Sequence, residues 1–158
     1  RFWEGRKIWE RLLSKLRDLG RMSIIYSDFM SQAQVERILL LLVSFPVVMQ
    51  EYVQGVRKTT ALQGLINESE LKELDCVTNR PLFIVNRMAK EIRSIPHSDA
   101  FTSRERERMY RIVDKLSDSI ASCEKIVQTP VPLHYARHTS RFLGLWCLSL
   151  PFALVAEL

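Results

Sequence analysis

Apolar residues recur every three or four positions along most of the chain, which is the spacing of an amphipathic α-helix. The first such segment runs from Phe2 to Leu19, and Gly20 follows it, so the pattern predicts a helix that ends at this glycine. A second helix is predicted to begin at Ser31, which has the capping-box spacing with Gln34, and to kink at Pro46. No segment alternates as a strand does. The sequence therefore predicts an all-α fold.

Three further helices are predicted in the middle of the chain. A short acidic helix covers Asn67 to Leu74, with Asn67 and Glu70 spaced as a cap, and another begins at Asn79-Arg80-Pro81. A long helix of about 26 residues, close to 40 Å, begins at the capping box formed by Thr102 and Glu105. Its predicted buried face is a continuous apolar stripe: Met109, Ile112, Val113, Leu116, Ile120, Cys123 and Val127.

Two apolar runs are candidates for deep burial. Ile38 to Met49 is twelve residues without a charge, whereas a bilayer crossing needs roughly 20 apolar residues. We therefore expect this run to be a buried core helix. The second run, Phe142 to Val155, has fourteen residues without a charge. Extended back to Leu133, it reaches spanning length if Arg137 and Arg141 lie at the interface.

The break at Thr129-Pro130-Val131-Pro132 separates this last segment from the rest of the chain. We expect residues 1–128 to form a helical intracellular portion, and residues 129–158 to be the start of a transmembrane helix. Periodicity alone also allows the last segment to be another core helix. Because the chain starts at Arg1 and stops directly after an apolar run, we expect it to be part of a longer protein.

The charge of the chain narrows the choice of partners. A net charge of +5 and a pI near 9.3 fit nucleic acid, an anionic membrane surface or small anions. Cations are interleaved with acids, as in Arg104-Glu105-Arg106-Glu107-Arg108, so we do not expect nucleic acid. The dispersed cysteines Cys76, Cys123 and Cys147 favour a reducing compartment and structural burial.

Sequence motifs for catalysis and cofactor binding do not occur. The chain has no glycine-rich phosphate loop, no nucleophile elbow, no CxxC pair and no HExxH. His134 and His138 have a metal-binding spacing, but no carboxylate or thiolate nearby completes a site. We expect no enzyme activity, no metal and no cofactor.

Four stretches, taken in order, resemble the bestrophin and bestrophin-like anion channels. They are the aromatic and basic segment from Arg1 to Trp9, the apolar stretch from Leu39 to Met49, the Asn-Arg-Pro triplet, and the segment from Cys123 to Phe152. The sequence of these stretches is closer to that of bacterial, plant and algal members than to that of animal members. The residues that carry the resemblance are Trp3, Trp9, Asn79, Arg80, Pro81, Cys123, Glu124, Thr129, Pro130, Pro132, Tyr135 and Pro151.

The resemblance implies a subunit of a homopentamer around a central pore, with membrane lipid outside and chloride, or in some relatives bicarbonate, passing down the axis. The apolar neck of the family would lie upstream of Arg1, and a second constriction near the start of the long helix. Helix periodicity places three arginines there on one flank. The candidate residues of the anion pathway are Arg104, Arg108, Arg111, Met109 and Ile112. The similarity to plant members favours a thylakoid membrane, and a plasma membrane is the alternative.

A different class of protein also fits the pattern. A soluble, basic helical interaction module would use the same amphipathic helices to hold a partner. The two hypotheses differ in the last segment, because the channel requires Phe142 to Val155 to face lipid or neighbouring membrane helices.

Overall fold

A computed structural model describes residues 2–58, 60–129 and 133–156. No strand occurs in these ranges, which confirms the predicted all-α fold. Short 3-10 turns cover Ser27–Phe29 and Thr60–Leu62. The α-helices in chain order are α1 (Phe2–Ile25), α2 (Gln32–Gln54), α3 (Glu68–Cys76), α4 (Arg80–Ser94), α5 (Ser103–Gln128) and α6 (Leu133–Ala156).

The chain divides into two compact units, residues 1–125 and 126–158. In the first unit, α2 packs against α4 and α1. Its fully buried side chains include Ile38, Leu41 and Phe45. The predicted capping box is present: Ser31 Oγ accepts a hydrogen bond from the backbone N–H of Gln34 at 3.2 Å, and the Gln34 side chain accepts one from the backbone N–H of Ser31 at 3.0 Å.

The prediction that the first helix ends at Gly20 is wrong, because α1 continues to Ile25. A Cβ atom on Gly20 would lie 3.6 Å from Leu42 Cδ1 and 3.9 Å from Leu39 Cδ2. The glycine therefore lies where α2 approaches α1 closely. By contrast, Gly55 does end a helix: it adopts φ +67°, a left-handed conformation that glycine takes without strain, directly after α2.

The predicted cap before α3 and the predicted start of α4 have different outcomes. Asn79 Oδ1 accepts a hydrogen bond from the backbone N–H of Leu82 at 3.1 Å, so the start of α4 is confirmed. Asn67 precedes α3 but makes no capping hydrogen bond with its side chain. The carboxylate of Glu70 instead pairs with Arg37 of α2 and, at 3.5 Å, with Arg87 of α4.

Helix α5 has the predicted length of 26 residues. At its start, the Glu105 carboxylate accepts a hydrogen bond from the backbone N–H of Thr102 at 2.9 Å, and Thr102 Oγ1 accepts one from the backbone N–H of Arg104 at 3.2 Å. The hydrogen bonds from Thr102 lower the pKa of the Glu105 carboxyl, because they favour its ionised form.

Burial identifies α2 as a core helix, as its short charge-free run predicted. Among the helices whose side chains are described throughout, α2 is nevertheless the one long and apolar enough to cross a membrane, with a mean hydropathy of 1.4. A core helix can satisfy the same criterion, because a helix buried among others is apolar on most sides.

The second unit is built on α6, which contains Pro151 within the helix. Pro130 and Pro132, predicted to form the break before it, lie outside the described residues. Eight large apolar side chains of α6 are exposed, and they lie on all sides of the helix: Tyr135, Phe142, Leu143, Leu145, Trp146, Leu148, Phe152 and Leu154. A helix with apolar residues all round is typical of burial in a membrane or in a large core.

Candidate anion site

The three arginines predicted to share one flank of α5 line the same cavity. This cavity has a volume of about 320 Å³ and is lined by Arg104, Arg108 and Arg111, together with Glu105, Glu107 and Tyr26. Three cations against two carboxylates give the lining a formal charge of +1. We call this surface the arginine flank. It can attract a small anion without holding it tightly, because its guanidinium groups are solvent-exposed and partly balanced by acids.

An aromatic cluster fixes the start of α5. Phe101 is fully buried, and its ring contacts Tyr26 edge-on at 5.3 Å between centroids and stacks on Phe29 at 6.5 Å. The guanidinium group of Arg106 lies 5.5 Å from the centre of the Phe101 ring and donates a hydrogen bond to the Ile95 carbonyl at 2.6 Å. Arg106 thus anchors the helix, while the other arginines of this stretch remain free to face the cavity.

Arg111 is the most constrained member of the arginine flank. Its Nη2 donates to Glu107 Oε1 at 2.8 Å, one helical turn earlier, although both side chains are largely exposed. This hydrogen bond raises the pKa of Arg111, so the guanidinium group carries its charge throughout the physiological range. Within the arginine flank, Arg104 and Arg108 therefore remain without an ion pair among the described residues.

The two apolar candidates of the pathway have different surroundings. Met109 is fully buried in the core of the first unit, so its side chain supports α5 from within and does not reach an open surface. Ile112 is half-buried against the core and keeps part of its surface outside. The role of both residues in conduction stays a prediction.

Glu124, near the other end of α5, joins three helices. Its Oε1 accepts hydrogen bonds from the Tyr52 hydroxyl of α2 at 2.7 Å and from the Asn79 side-chain amide at 3.0 Å. The hydrogen bond to Glu124 is the main reason that the pKa of Tyr52 is raised, with burial and the carboxylate charge adding to it. Two of the residues that carry the family resemblance, Asn79 and Glu124, thus bond to each other.

Arg80 makes a second, buried polar contact between α4 and α2. Its guanidinium group is 2% exposed and donates through Nη1 to Glu51 Oε2 at 2.8 Å. Asp75 lies 3.7 Å from Nη2, and the backbone N–H of Lys58 donates to the same oxygen of Glu51 at 3.3 Å. The Nε atom of Arg80 is buried without a hydrogen-bond partner among the described residues. Arg80 and Glu51 thus form the most deeply buried ion pair among the described residues.

The other residues that carry the resemblance have structural surroundings. Pro81 is buried in the first turn of α4, and Cys123 packs against the core, where burial, followed by the charge of Glu124, raises the pKa of its thiol. Trp9 packs against the core, whereas Trp3 is exposed with the guanidinium group of Arg6 5.9 Å from its ring. Thr129 and Tyr135 are exposed on either side of the undescribed prolines.

The family model for bacterial and fungal bestrophin proteins matches residues 1–158. The chain belongs to the bestrophin family. This membership confirms the resemblance stated from the sequence, including its closeness to the bacterial and plant members. Membership in this family points to a membrane channel protein rather than to an enzyme.

Named relatives of this bestrophin chain are described as channel proteins. A voltage-dependent anion channel-forming protein of Synechocystis is 30% identical over 100% of the chain and 52% of the relative. A voltage-dependent chloride channel of Arabidopsis thaliana, described as chloroplastic, is 31% identical over 99% of the chain and 38% of the relative. The chain thus spans about half or less of these relatives.

The same fold occurs in solved bestrophin structures. A crystal structure of a bacterial bestrophin homologue from Klebsiella pneumoniae superposes with a TM-score of 0.87 at 26% identity, covering 100% of this chain and 60% of that one. The helical order of the described residues is therefore the bestrophin order.

Sequence reasoning missed three residues of this bestrophin site. Glu51 pairs with Arg80, which is 29 positions away, and Tyr52 donates to Glu124, which is 72 positions away. Tyr26 lines the cavity of the arginine flank, about 80 positions away. Glu51 offered one signal, because an acid at the end of an apolar helix needs a buried cation as its partner.

Proposed function

We propose that this bestrophin chain is part of a channel that conducts small anions, chloride foremost and bicarbonate in addition. Residues 1–128 form its intracellular portion and residues 129–158 the start of a membrane span. Five identical subunits surround the pathway, and the membrane is a thylakoid or, failing that, a plasma membrane. The proposal is supported by the relatives named above, which are channels for anions or chloride.

The arginine flank is the observation that carries the proposal. Arg104, Arg108 and Arg111 line one cavity at the beginning of α5, with only two acids to balance them. Repeated in five subunits around an axis, such a surface raises the local concentration of anions. The exposure of the arginines keeps each contact weak, so an anion that is attracted can also leave.

The apolar surface of α6 supports the membrane location. Most of its large side chains from Phe142 to Leu154 are exposed, and they lie on all sides of the helix. No charge occurs between Phe142 and Val155. Lipid or neighbouring membrane helices would cover this surface. Compared with exposure to water, covering it would stabilise the protein by about 25 cal/mol per Å² of apolar area. A soluble interaction module would have to cover it with a partner.

The test uses the complete protein in planar lipid bilayers. Replacing Arg104, Arg108 and Arg111 with glutamate should lower chloride conductance roughly tenfold at low ionic strength, and less in concentrated salt, because salt screens exposed charges. The matched control replaces three exposed lysines elsewhere, Lys72, Lys90 and Lys125, with glutamate. Equal currents in the two variants would remove the arginine flank from the pathway. Recovery of the protein in a salt wash without detergent would contradict the channel itself.

A further inference from the structure

The cationic surface of α5 does not end at the arginine flank. Lys115 follows Arg104, Arg108 and Arg111 at spacings of four, three and four residues, which keeps all four on one stripe of the helix. The distance from Arg104 to Lys115 along the helix is about 16 Å. Lys115 lies at a second cavity, of about 410 Å³, between α1 and α5.

This second cavity, the α1–α5 groove, is lined mainly by cations and hydroxyl groups. Arg11, Lys15 and Ser14 come from α1, and Lys115 and Asp118 come from α5, with Ile8 as an apolar wall. Three cations against Asp118 give the lining a formal charge of +2, which Asp18, the partner of Lys15, reduces to +1. Counted over lining residues alone, the groove therefore carries one more positive charge than the arginine flank.

Donors for an anion remain available in the groove. Lys15 Nζ forms an ion pair with Asp18 at 3.0 Å, and Lys115 Nζ forms one with Asp118 at 3.2 Å. Each ammonium group therefore keeps two further N–H donors. Among the described residues Arg11 has no ion pair. The hydroxyls of Ser119 and Ser122 donate to backbone carbonyls of α5 and are not available to a ligand.

We propose that the α1–α5 groove is a second binding station for a small inorganic anion, next to the arginine flank on the same stripe of α5. This inference rests on the proposed function, because it extends the pathway that begins at the arginine flank. Arg11, Lys15 and Lys115 supply the charge, and Ser14 supplies a neutral hydroxyl donor. Weak binding at two positively charged stations would let an anion pass from one to the other, as conduction through several sites requires.

The first experiment looks for the ion directly. Crystals of the complete protein are soaked in sodium bromide, and anomalous scattering locates bromide as the stand-in for chloride. We expect a peak in the α1–α5 groove within hydrogen-bonding reach of Lys115, and loss of that peak in Lys115→Gln. No peak in the groove at a bromide concentration that fills the arginine flank would overturn the inference.

The second experiment measures conduction in bilayers of zwitterionic lipid. The double variant Arg11→Glu with Lys115→Glu should lower chloride conductance at least about threefold at low salt, because the groove then repels anions. The matched control is Lys72→Glu with Lys90→Glu, which changes the charge by the same amount outside the groove. Lys115→Arg keeps the charge and should conduct like the wild type. Helical content and oligomeric size, compared before each recording, show that the variants fold.

The outcomes distinguish the inference from the function on which it rests. If the arginine-flank variant loses current and the groove variant matches its control, the second station is wrong and the channel stands. If neither variant loses current, the arginine flank fails as well. A bromide peak without any change in current means an adventitious ion only. An effect that requires added phosphatidylglycerol would assign the groove to a lipid headgroup and would also overturn the inference.

Discussion

Replacing Glu51 with leucine leaves the guanidinium group of Arg80 buried without its counter-ion. Arg80 is 2% exposed and Glu51 is 7% exposed, so water cannot take the place of the lost carboxylate. Breaking one side of a buried pair costs about 3–5 kcal/mol. Asp75 Oδ1 lies 3.7 Å from Arg80 Nη2, but its side chain is half exposed. Water therefore screens its attraction to the guanidinium group, and Asp75 cannot fully replace Glu51. Since a domain is stable by about 5–15 kcal/mol, Glu51→Leu should remove a large part of the stability of the first unit.

The loss of stability in Glu51→Leu can be measured as a decrease in melting temperature. A loss of about 3–5 kcal/mol corresponds to a decrease of about 6–20 °C for a cooperative unit of about 150–250 residues. The measurement is loss of helical circular dichroism on heating the complete protein in detergent. The control is Glu10→Leu, which breaks the exposed pair of Arg6 and Glu10 on α1 and should change the melting temperature by less than about 3 °C.

A double-mutant cycle separates the ion pair from simple packing. Arg80→Met should be destabilising by itself, because it leaves the carboxylate of Glu51 buried, but the combined Glu51→Leu and Arg80→Met variant should recover most of the loss. We expect a coupling free energy of at least about 2 kcal/mol. Additive effects of the two replacements, or a Glu51→Leu variant that melts with the wild type, would refute the reasoning.

Two further predictions concern α1 and the Tyr52–Glu124 hydrogen bond. Gly20→Ala should stabilise the protein by about 0.5–1 kcal/mol, because the new Cβ meets Leu42 and Leu39 at ordinary contact distances and alanine is the better helix former; a lower melting temperature would contradict the packing described for Gly20. The pKa of Tyr52 is raised on folding, so its hydrogen bond to Glu124 contributes stability that is present below the unfolded pKa of about 10 and is lost as pH rises through the folded value. Tyr52→Phe should therefore be less stable at neutral pH and lose less stability in alkaline solution than the wild type; parallel profiles of melting temperature against pH would argue against this role.

The helices were predictable because their signals are local. The periodicity of α5, its capping pair and its length follow from 26 consecutive residues, and the shared flank of Arg104, Arg108 and Arg111 follows from helix geometry alone. The same holds for α4, where Asn79 and Pro81 mark the start.

The errors arose where a distant residue decides the local structure. Gly20 has the appearance of a helix end, but α2 packs against it and the helix continues. Glu70 has the spacing of a capping residue, but Arg37 and Arg87 on two other helices engage its carboxylate. Partners far apart in sequence cannot be identified from one chain, because periodicity reports which face is buried and not against what.

The cavity shared by α1 and α5 bears on how the polypeptide is threaded through its bilayer. By hydropathy, α2 would be counted as a crossing, and a topology map drawn that way would put α1 and α5 in opposite compartments. Arg11 and Lys115, which line one groove, would then face two different solutions. We therefore expect that α2 does not cross the bilayer, and that a reporter inserted directly before α1 has the same sidedness as one inserted between α4 and α5.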